Sequence, residues 1–172
     1  EGLYGMDEAN GGYYELLADD IKVSVGEAQD YIDAYLARYT GVKAYMDNIK
    51  ADAEKTGFVT TLYGRKRAIP ELKASNFNLR SFGQRAAMNT PIQGAAADII
   101  KLAMIHVQKR LESEKMESRM ILQIHDELVF DAVSDEVEVL ERIVREEMEN
   151  VTQLSVPLTV ECNHGSNWLE AH

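Results

Sequence analysis

The segment from Met120 to Phe130 places three ionisable residues between two strongly apolar runs, and it limits what the chain can fold into. Each run is short and rich in large or β-branched residues, as is typical of a strand. The strands are predicted over Met120–Ile124 and Leu128–Val133, joined by a turn at His125-Asp126-Glu127. Because so few residues separate them, the strands are expected to pair antiparallel and to present these three side chains together.

Helical patterns account for most of the chain before this hairpin. A capping box at Ser24 precedes apolar residues at helical spacing as far as Ile49, which predicts a long helix bent near Thr40-Gly41. A second helix is predicted from Asn76 to Leu111. Pro91 lies within it and should kink it, because proline cannot donate the helical hydrogen bond.

The remaining segments complete the predicted order of elements. Gly57 to Pro70 is predicted to form a short hairpin between the two helices. After the second hairpin, Ser134 is predicted to cap a helix. Val156–Cys162 is predicted to form a last strand. The helix has an inward apolar face formed by Val137, Leu140, Ile143, Val144 and Met148. This order favours an α+β fold, with long helices packed on one face of an antiparallel sheet.

The distribution of charge leaves a nucleic-acid partner open. The net charge of −11 argues against one at first, since phosphate binding requires a cationic surface. Residues 58–111, however, carry nine basic residues against two acidic ones, a local charge of +7, and the remainder then carries −18. Such a stretch fits either a surface facing a polyanion or an ordinary solvated helix face.

Composition favours a cytoplasmic protein without a membrane partner. The sequence has neither a long uninterrupted apolar run nor the basic and apolar opening of a signal peptide. The single cysteine, Cys162, cannot form an intrachain disulfide and is expected in the core. We interpret a start without methionine as that of an excised fragment.

Two sets of polar residues are candidates for chemistry. Adjacent carboxylates at Asp126 and Glu127 could hold Mg²⁺ together with waters and substrate phosphates, although a solvated turn is the plainer alternative. Arg85, Asn89 and Gln93 are spaced four apart, so they share one helix face and could act together. The alternative is that this face is only a solvated polar stripe.

The other aromatic and histidine residues are assigned no chemistry. The tyrosines from Tyr31 to Tyr45 are spaced as a helix core rather than as a base-stacking platform. His106 and His164 are isolated.

Several motifs resemble those of one enzyme family. His125-Asp126-Glu127 between apolar strands resembles the third sequence motif of the palm of family A DNA polymerases, the DNA polymerase I type. The run from Arg85 to Ile100 is similar to the long kinked palm helix of that family, nearly residue for residue. The Gly57–Pro70 hairpin and the closing Asn167-Trp168 are similar too, so the resemblance covers roughly Ser24 to His172.

The resemblance implies a partial polymerase domain with a palm-type sheet. Residues 24–172 would be the C-terminal part of the palm and fingers, and residues 1–23 a remnant of the fingers region. The implied activity is template-directed nucleotidyl transfer by a DNA-directed DNA polymerase with two Mg²⁺ ions. Its partners would be primer-template DNA and deoxynucleoside triphosphates.

The resemblance also implies residue roles. Asp126 would be a metal ligand, with Glu127 beside it at the metal site, and these two residues and His125 would form the catalytic group. His125 would contact the primer terminus, and Tyr4 would remain from the nucleotide-binding helix. The duplex would be contacted by Arg85, Asn89 and Gln93. Amide and guanidinium groups suit minor-groove acceptors that nearly every base pair presents. Phosphate contact by Arg65, Lys66 and Arg67 is plausible, but an exposed hairpin tip often carries such charges.

The family's upstream palm aspartate has no counterpart in this sequence, and its triphosphate-binding Arg and Lys are also missing. Asp19-Asp20 lies where the family has a fingers helix and is not a substitute. The isolated chain is therefore expected to be inactive, and exposed apolar faces are expected to favour self-association. Two alternatives remain open: a non-catalytic duplex-DNA-binding module and, less favoured, a metal-dependent phosphodiesterase that uses His125 and Asp126.

Overall fold

The computed structural model describes residues 12–171, which form six α-helices and two antiparallel hairpins. They divide into two compact units, the first ending at Gly94 and the second beginning at Ala95. The helices are α1 (Gly12–Ile21), α2 (Val25–Arg38), α3 (Thr40–Thr56), α4 (Phe77–Ser113), α5 (Val137–Glu149) and α6 (Trp168–Ala171). The strands are β1 (Phe58–Thr60), β2 (Lys66–Ala68), β3 (Arg119–Ile124) and β4 (Glu127–Asp131). Short 3₁₀ turns cover Pro70–Lys73 and Ser134–Glu136.

Helix α2 begins with the predicted capping box. The Glu27 backbone N–H donates to the Ser24 hydroxyl at 3.3 Å, and the Glu27 carboxylate accepts from the Ser24 backbone N–H at 2.9 Å. This exchange lowers the pKa of Glu27, chiefly through the Ser24 side chain. The bend predicted near Thr40-Gly41 is a break between α2 and α3 at Tyr39, whose φ of −104° and ψ of 63° are not helical.

The first unit has its core beneath the β1–β2 hairpin. Val59 pairs with Arg67 in the antiparallel register, and Gly57, at a φ of +81°, ends α3 just before the first strand. The core is one cluster of buried residues from α3, the hairpin, the 3₁₀ turn and α4: Ala53, Val59, Ile69, Leu72 and Ala87. The hairpin predicted over Gly57–Pro70 is therefore confirmed. It packs against α3, which precedes it in the chain, and against α4, which follows it.

The second unit places α5 and the end of α4 against the β3–β4 hairpin. Its core is one cluster of buried residues, Val107, Leu111, Leu140, Ile143 and Val144, and partly buried Met116, Met120, Phe130 and Met148 pack around them. The apolar stripe predicted on α5 is thus confirmed. With helices packed against small antiparallel sheets, the predicted α+β class is confirmed as well.

Helix α4 is continuous from Phe77 to Ser113, with Pro91 inside it. The helix predicted over this region is confirmed, and the kink at Pro91 stays a prediction. Within residues 12–171, no helix is long and apolar enough to cross a membrane.

Two predicted features of the C-terminal segment are wrong. Val156–Cys162 does not form a strand, because side chains of α5 bind its backbone instead. The Val160 N–H donates to a Glu149 carboxylate oxygen at 3.0 Å, and the Val160 carbonyl accepts from Arg145 Nε at 3.4 Å. Ser134 does not cap α5 either, since it lies in the preceding 3₁₀ turn, and α5 begins without a side-chain cap.

The tyrosines predicted as helix core lie at the surface. Tyr31, Tyr35, Tyr39 and Tyr45 expose between 43% and 55% of their area, and the rings of Tyr35 and Tyr39 lie 4.7 Å apart. Helical spacing establishes which side chains share a face, but not that another element covers the face. Cys162, also predicted in the core, is half-buried, and burial raises the pKa of its thiol.

Candidate functional site

The turn between β3 and β4 is shorter than the sequence predicts. Strand β3 ends at Ile124 and β4 begins at Glu127, and these two residues pair across the hairpin. Only His125 and Asp126 form the turn, and both side chains are exposed, whereas Glu127 is half-buried in the strand. The three ionisable residues are therefore adjacent as predicted, but Glu127 belongs to the sheet rather than to the turn.

The backbone of His125 has a φ of +50°, one of few positive values outside glycine among residues 12–171. Two-residue hairpin turns match the twist of their strands only when φ is positive at the first central position or at both. A left-handed conformation costs an L-residue about 1–2 kcal/mol, so the surrounding pairs must hold it in place. The Gln123 side-chain amide donates to the His125 carbonyl at 2.6 Å and braces the turn further. The tip that carries Asp126 is thus held in one conformation by the two strands and by this side-chain contact.

The carboxylate of the turn and that of the first residue of β4 fit part of a Mg²⁺ site. Mg²⁺ is usually held by one or two carboxylates, with waters and substrate phosphates completing its octahedral shell. Asp126 and Glu127 satisfy that requirement in number. Across residues 12–171, no group of three or more His, Cys, Asp and Glu side chains is arranged to hold a metal ion. Two carboxylates suit a cation whose remaining ligands are waters and substrate phosphates.

The polar stripe predicted on α4 lies on a partly exposed helix face. Arg85 and Asn89 are half-buried and Gln93 is exposed. At about 3.6 residues per turn, Ala87 and Gly94 fall roughly opposite the stripe, about 140–160° from its centre, whereas Thr90 falls only about 100° from it. Ala87 and Thr90 are buried, so the packed side of α4 extends from the opposite face to one edge of the stripe. The buried Thr90 directly follows Asn89 in the chain.

The basic hairpin tip contacts α4 within the first unit. Arg65 Nη2 donates to the Gly94 carbonyl at 3.1 Å, and Arg67 Nη1 donates to the Thr90 hydroxyl at 2.9 Å. Lys66 instead lies over the Phe58 ring, with its Nζ 4.7 Å from the ring centroid. The sequence offered only phosphate contact or plain exposure for these three residues, and it missed Thr90 and Gly94 altogether. The one available signal was a glycine inside a strong helical pattern, which often marks tight packing against another element.

The candidate residues occupy both units, apart from one outside the described range. Arg85, Asn89 and Gln93 belong to the first unit, and the turn at His125 and Asp126 belongs to the second. Tyr4, predicted to bind nucleotide, lies outside the described residues.

Residues 3–170 match the profile of DNA polymerase family A. The chain belongs to DNA polymerase family A. It is 48% identical over 155 residues to DNA polymerase I of Geobacillus stearothermophilus, and 50% identical over 154 residues to DNA polymerase I of Caldicellulosiruptor bescii. Each alignment covers 90% of this chain and 18% of the relative. The chain therefore spans less than a fifth of the length of these family A relatives.

Part of a solved polymerase domain shares the fold of this chain. The POL domain of Pol1 from M. smegmatis, in complex with DNA primer-template and dNTP, is similar with a TM-score of 0.84 and 43% identity. The similarity covers 90% of this chain and 27% of that one. Both the family and the fold class predicted from the sequence are thereby confirmed. The roles of individual residues stay predictions.

Proposed function

We propose that this family A chain is the C-terminal part of a DNA-directed DNA polymerase and supplies one half of its nucleotidyl-transfer site. The observation that carries the proposal is the two-residue turn at His125 and Asp126, which presents a carboxylate at a fixed tip between paired strands. Family membership supports it, and so does the primer-template and dNTP named for the similar Pol1 domain. The proposed partners are therefore primer-template DNA and deoxynucleoside triphosphates.

In the proposed reaction, the primer 3′-oxygen forms a bond to the α-phosphorus of a nucleotide while the bond to pyrophosphate breaks. Asp126, with Glu127 beside it, would hold Mg²⁺ in a two-metal site. Bound divalent cations stabilise the attacking and the leaving oxygens of such an in-line displacement. His125 shares the rigid tip with Asp126 and would contact the primer terminus. The turn would thus orient the primer end relative to the carboxylate.

The α4 stripe would bind the double-stranded part of the primer-template. Arg85, Asn89 and Gln93 recur every fourth residue, so each can meet a different step of the double helix. Guanidinium and amide groups can donate to purine N3 and pyrimidine O2 in the minor groove, where the acceptor pattern is largely independent of sequence. A copying enzyme needs contacts of this kind, because it must accept every correct pair.

We propose that the isolated chain does not extend primers. Residues 12–171 contain no group of three or more side chains arranged to hold a metal ion. The DNA polymerase I of Geobacillus stearothermophilus is more than five times as long as the segment aligned with this chain. The test is Mg²⁺-dependent primer extension by the 172-residue chain, alone and with the upstream palm and fingers segment supplied in trans. Extension only on complementation, and its loss in Asp126→Asn, supports the proposal. Extension by the chain alone would refute the claim of inactivity.

The alternative of a duplex-binding module has one observation in its favour. The polar stripe lies with its supporting contacts inside one unit, whereas the carboxylates form only part of a metal site. DNA binding without extension under complementation would favour this alternative. Mg²⁺-dependent release of nucleotides from DNA would instead favour the phosphodiesterase.

Self-association through exposed apolar faces is the last part of the proposal. Tyr31, Tyr35 and Tyr39 expose about half of their area, and aromatic surface of this kind favours association. Sedimentation of the chain over a range of concentrations should show oligomers, and Tyr35→Ser with Tyr39→Ser should reduce them. A monomer at every concentration would contradict the idea. We also propose a cytoplasmic location, where DNA and deoxynucleoside triphosphates are available.

A further inference from the structure

Two arginines of the β1–β2 hairpin contact α4 on either side of its proline. Arg67 Nη1 lies 2.9 Å from the Thr90 hydroxyl, and Arg65 Nη2 lies 3.1 Å from the Gly94 carbonyl. The two acceptors are one helical turn apart, with Pro91 between them. The hairpin therefore spans the turn of α4 whose residues favour a helix least.

That turn is intrinsically weak for two reasons. Pro91 has no N–H, so the carbonyl of Ala87 loses its usual helical donor. Gly94 costs a helix interior about 1 kcal/mol relative to alanine, and proline costs about 3 kcal/mol. Asn89 and Gln93, proposed to contact the duplex, lie on either side of this proline. Their relative orientation depends on a turn whose backbone hydrogen bonding is incomplete.

The hairpin also packs directly on the helix at the same place. A Cβ added to Gly94 would clash with Cγ2 of Thr61, so glycine is required for the close approach. Thr61 and Thr90 are buried, at 6% and 8% exposure. The Thr61 N–H donates to the Arg65 carbonyl at 2.9 Å, so this Arg belongs to the same tight turn that touches the helix. The Arg65 contact is thus anchored by packing, unlike an arginine on a free loop.

We propose that Arg65 and Arg67 are positioning residues that hold the Pro91 turn of α4, and through it set the orientation of Asn89 relative to Gln93. The inference rests on the proposed contact between α4 and the duplex. Thr90 and Gly94, which the two arginines contact, directly follow Asn89 and Gln93 in the chain, so holding these two acceptors fixes the backbone from which the polar side chains project. Direct phosphate contact by these arginines is the competing explanation, and the experiment separates the two.

The first measurement uses the 172-residue chain without DNA. Arg67→Met and Thr90→Val remove the two halves of one contact, and only the first of them changes the charge. Each should speed amide hydrogen exchange in residues 92–98 about fivefold or more, as expected for loss of one charge-assisted hydrogen bond. The double variant should exchange no faster than the faster single variant, because both changes remove the same interaction. Lys66→Met is the matched control, with the same charge change beside the contact and no expected acceleration.

The second measurement is binding of primer-template DNA at several salt concentrations. Thr90→Val should weaken binding severalfold without altering its salt dependence, since no charge is lost. Under the phosphate explanation, Thr90→Val would leave binding unchanged. Arg65→Met, Arg67→Met and Lys66→Met would each reduce the salt slope by about one, with unchanged exchange in the free chain. That pattern overturns the inference.

Failure of the proposed function has a different signature. If the unaltered chain does not bind primer-template at all, the duplex contact is refuted, and the positioning role falls with it. If the unaltered chain binds DNA but exchange in residues 92–98 is the same in Arg65→Met, Arg67→Met and the unaltered chain, the positioning role alone is refuted.

Discussion

Replacing Ser118 by alanine should destabilise the second unit, because its hydroxyl closes the base of the hairpin whose tip carries Asp126. Ser118 precedes β3 and is only 3% exposed. Its hydroxyl donates to the Glu136 carboxylate at 2.6 Å and accepts from the Val133 N–H at 3.0 Å. These contacts tie the start of β3 to the segment that follows β4 and to the entrance of α5.

The magnitude follows from the two hydrogen bonds of the buried hydroxyl that alanine removes. A typical intramolecular hydrogen bond contributes about 0.5–1.5 kcal/mol, so two contribute about 1–3 kcal/mol, and we take about 2 kcal/mol. For a chain of this size, that loss lowers the thermal midpoint by about 4–8 °C. Urea and thermal unfolding followed by circular dichroism measure both quantities. The control is Ser113→Ala, which removes an exposed hydroxyl that donates to the Arg110 carbonyl at 2.9 Å, and it should change stability by less than about 0.5 kcal/mol. A loss below about 0.5 kcal/mol in Ser118→Ala would refute the reasoning.

The same contact predicts a pH dependence. The pKa of Glu136 is lowered, first by the Ser118 hydroxyl and then by the backbone N–H groups of Glu117 and Ser118. A depressed folded pKa contributes stability above the ordinary value of 4.5, which is lost as pH falls through the folded pKa. Ser118→Ala removes the largest cause of the shift. The difference in stability between the chain and the variant should therefore narrow between pH 7 and pH 3, and an equal difference at both would contradict the assignment.

Three further changes test the site and the core. Asp126→Asn should leave duplex binding within about twofold, whereas Arg85→Ala and Gln93→Ala should each weaken it about 5- to 150-fold, the equivalent of about 1–3 kcal/mol per base-edge contact, in fluorescence anisotropy. A larger loss in Asp126→Asn than in Arg85→Ala would contradict the division of roles. His125→Gly should raise the unfolding free energy by up to about 1 kcal/mol, because glycine adopts a positive φ without steric cost. It should also weaken primer binding, because the side chain is lost. A destabilised variant would show that the turn is not strained. Ile143→Ala should lower the unfolding free energy by about 2–5 kcal/mol, since this side chain is fully buried, and a loss below about 1 kcal/mol in urea unfolding would contradict its place in the core.

Local features of the fold were predictable from the sequence. The capping box at Ser24, the two hairpins and the apolar stripe of α5 depend on residues a few positions apart, and hydrogen bonding and side-chain periodicity act over that range. The candidate site was accessible for the same reason. Three ionisable residues between apolar runs must lie together, whatever surrounds them.

The number of residues in the turn was decided by strand pairing. Pairing of Ile124 with Glu127 leaves only two residues in the turn and imposes a positive φ on His125. Sequence reasoning placed Glu127 in the turn, because charge indicates exposure to solvent but does not establish where a ladder of hydrogen bonds ends.

Long-range partners were outside the reach of the sequence. The β-prone run at Val156–Cys162 does not form a strand, because Glu149 and Arg145 bind its backbone, and no local pattern reveals those partners. The tyrosines share a face that the described residues do not cover, and burial requires a second surface that periodicity cannot supply. In the sequence, Arg65 and Arg67 cannot be distinguished from the basic residues of any exposed hairpin tip. Only the tertiary structure brings their guanidinium groups to Gly94 and Thr90, because a contact between residues more than twenty positions apart depends on how the elements pack.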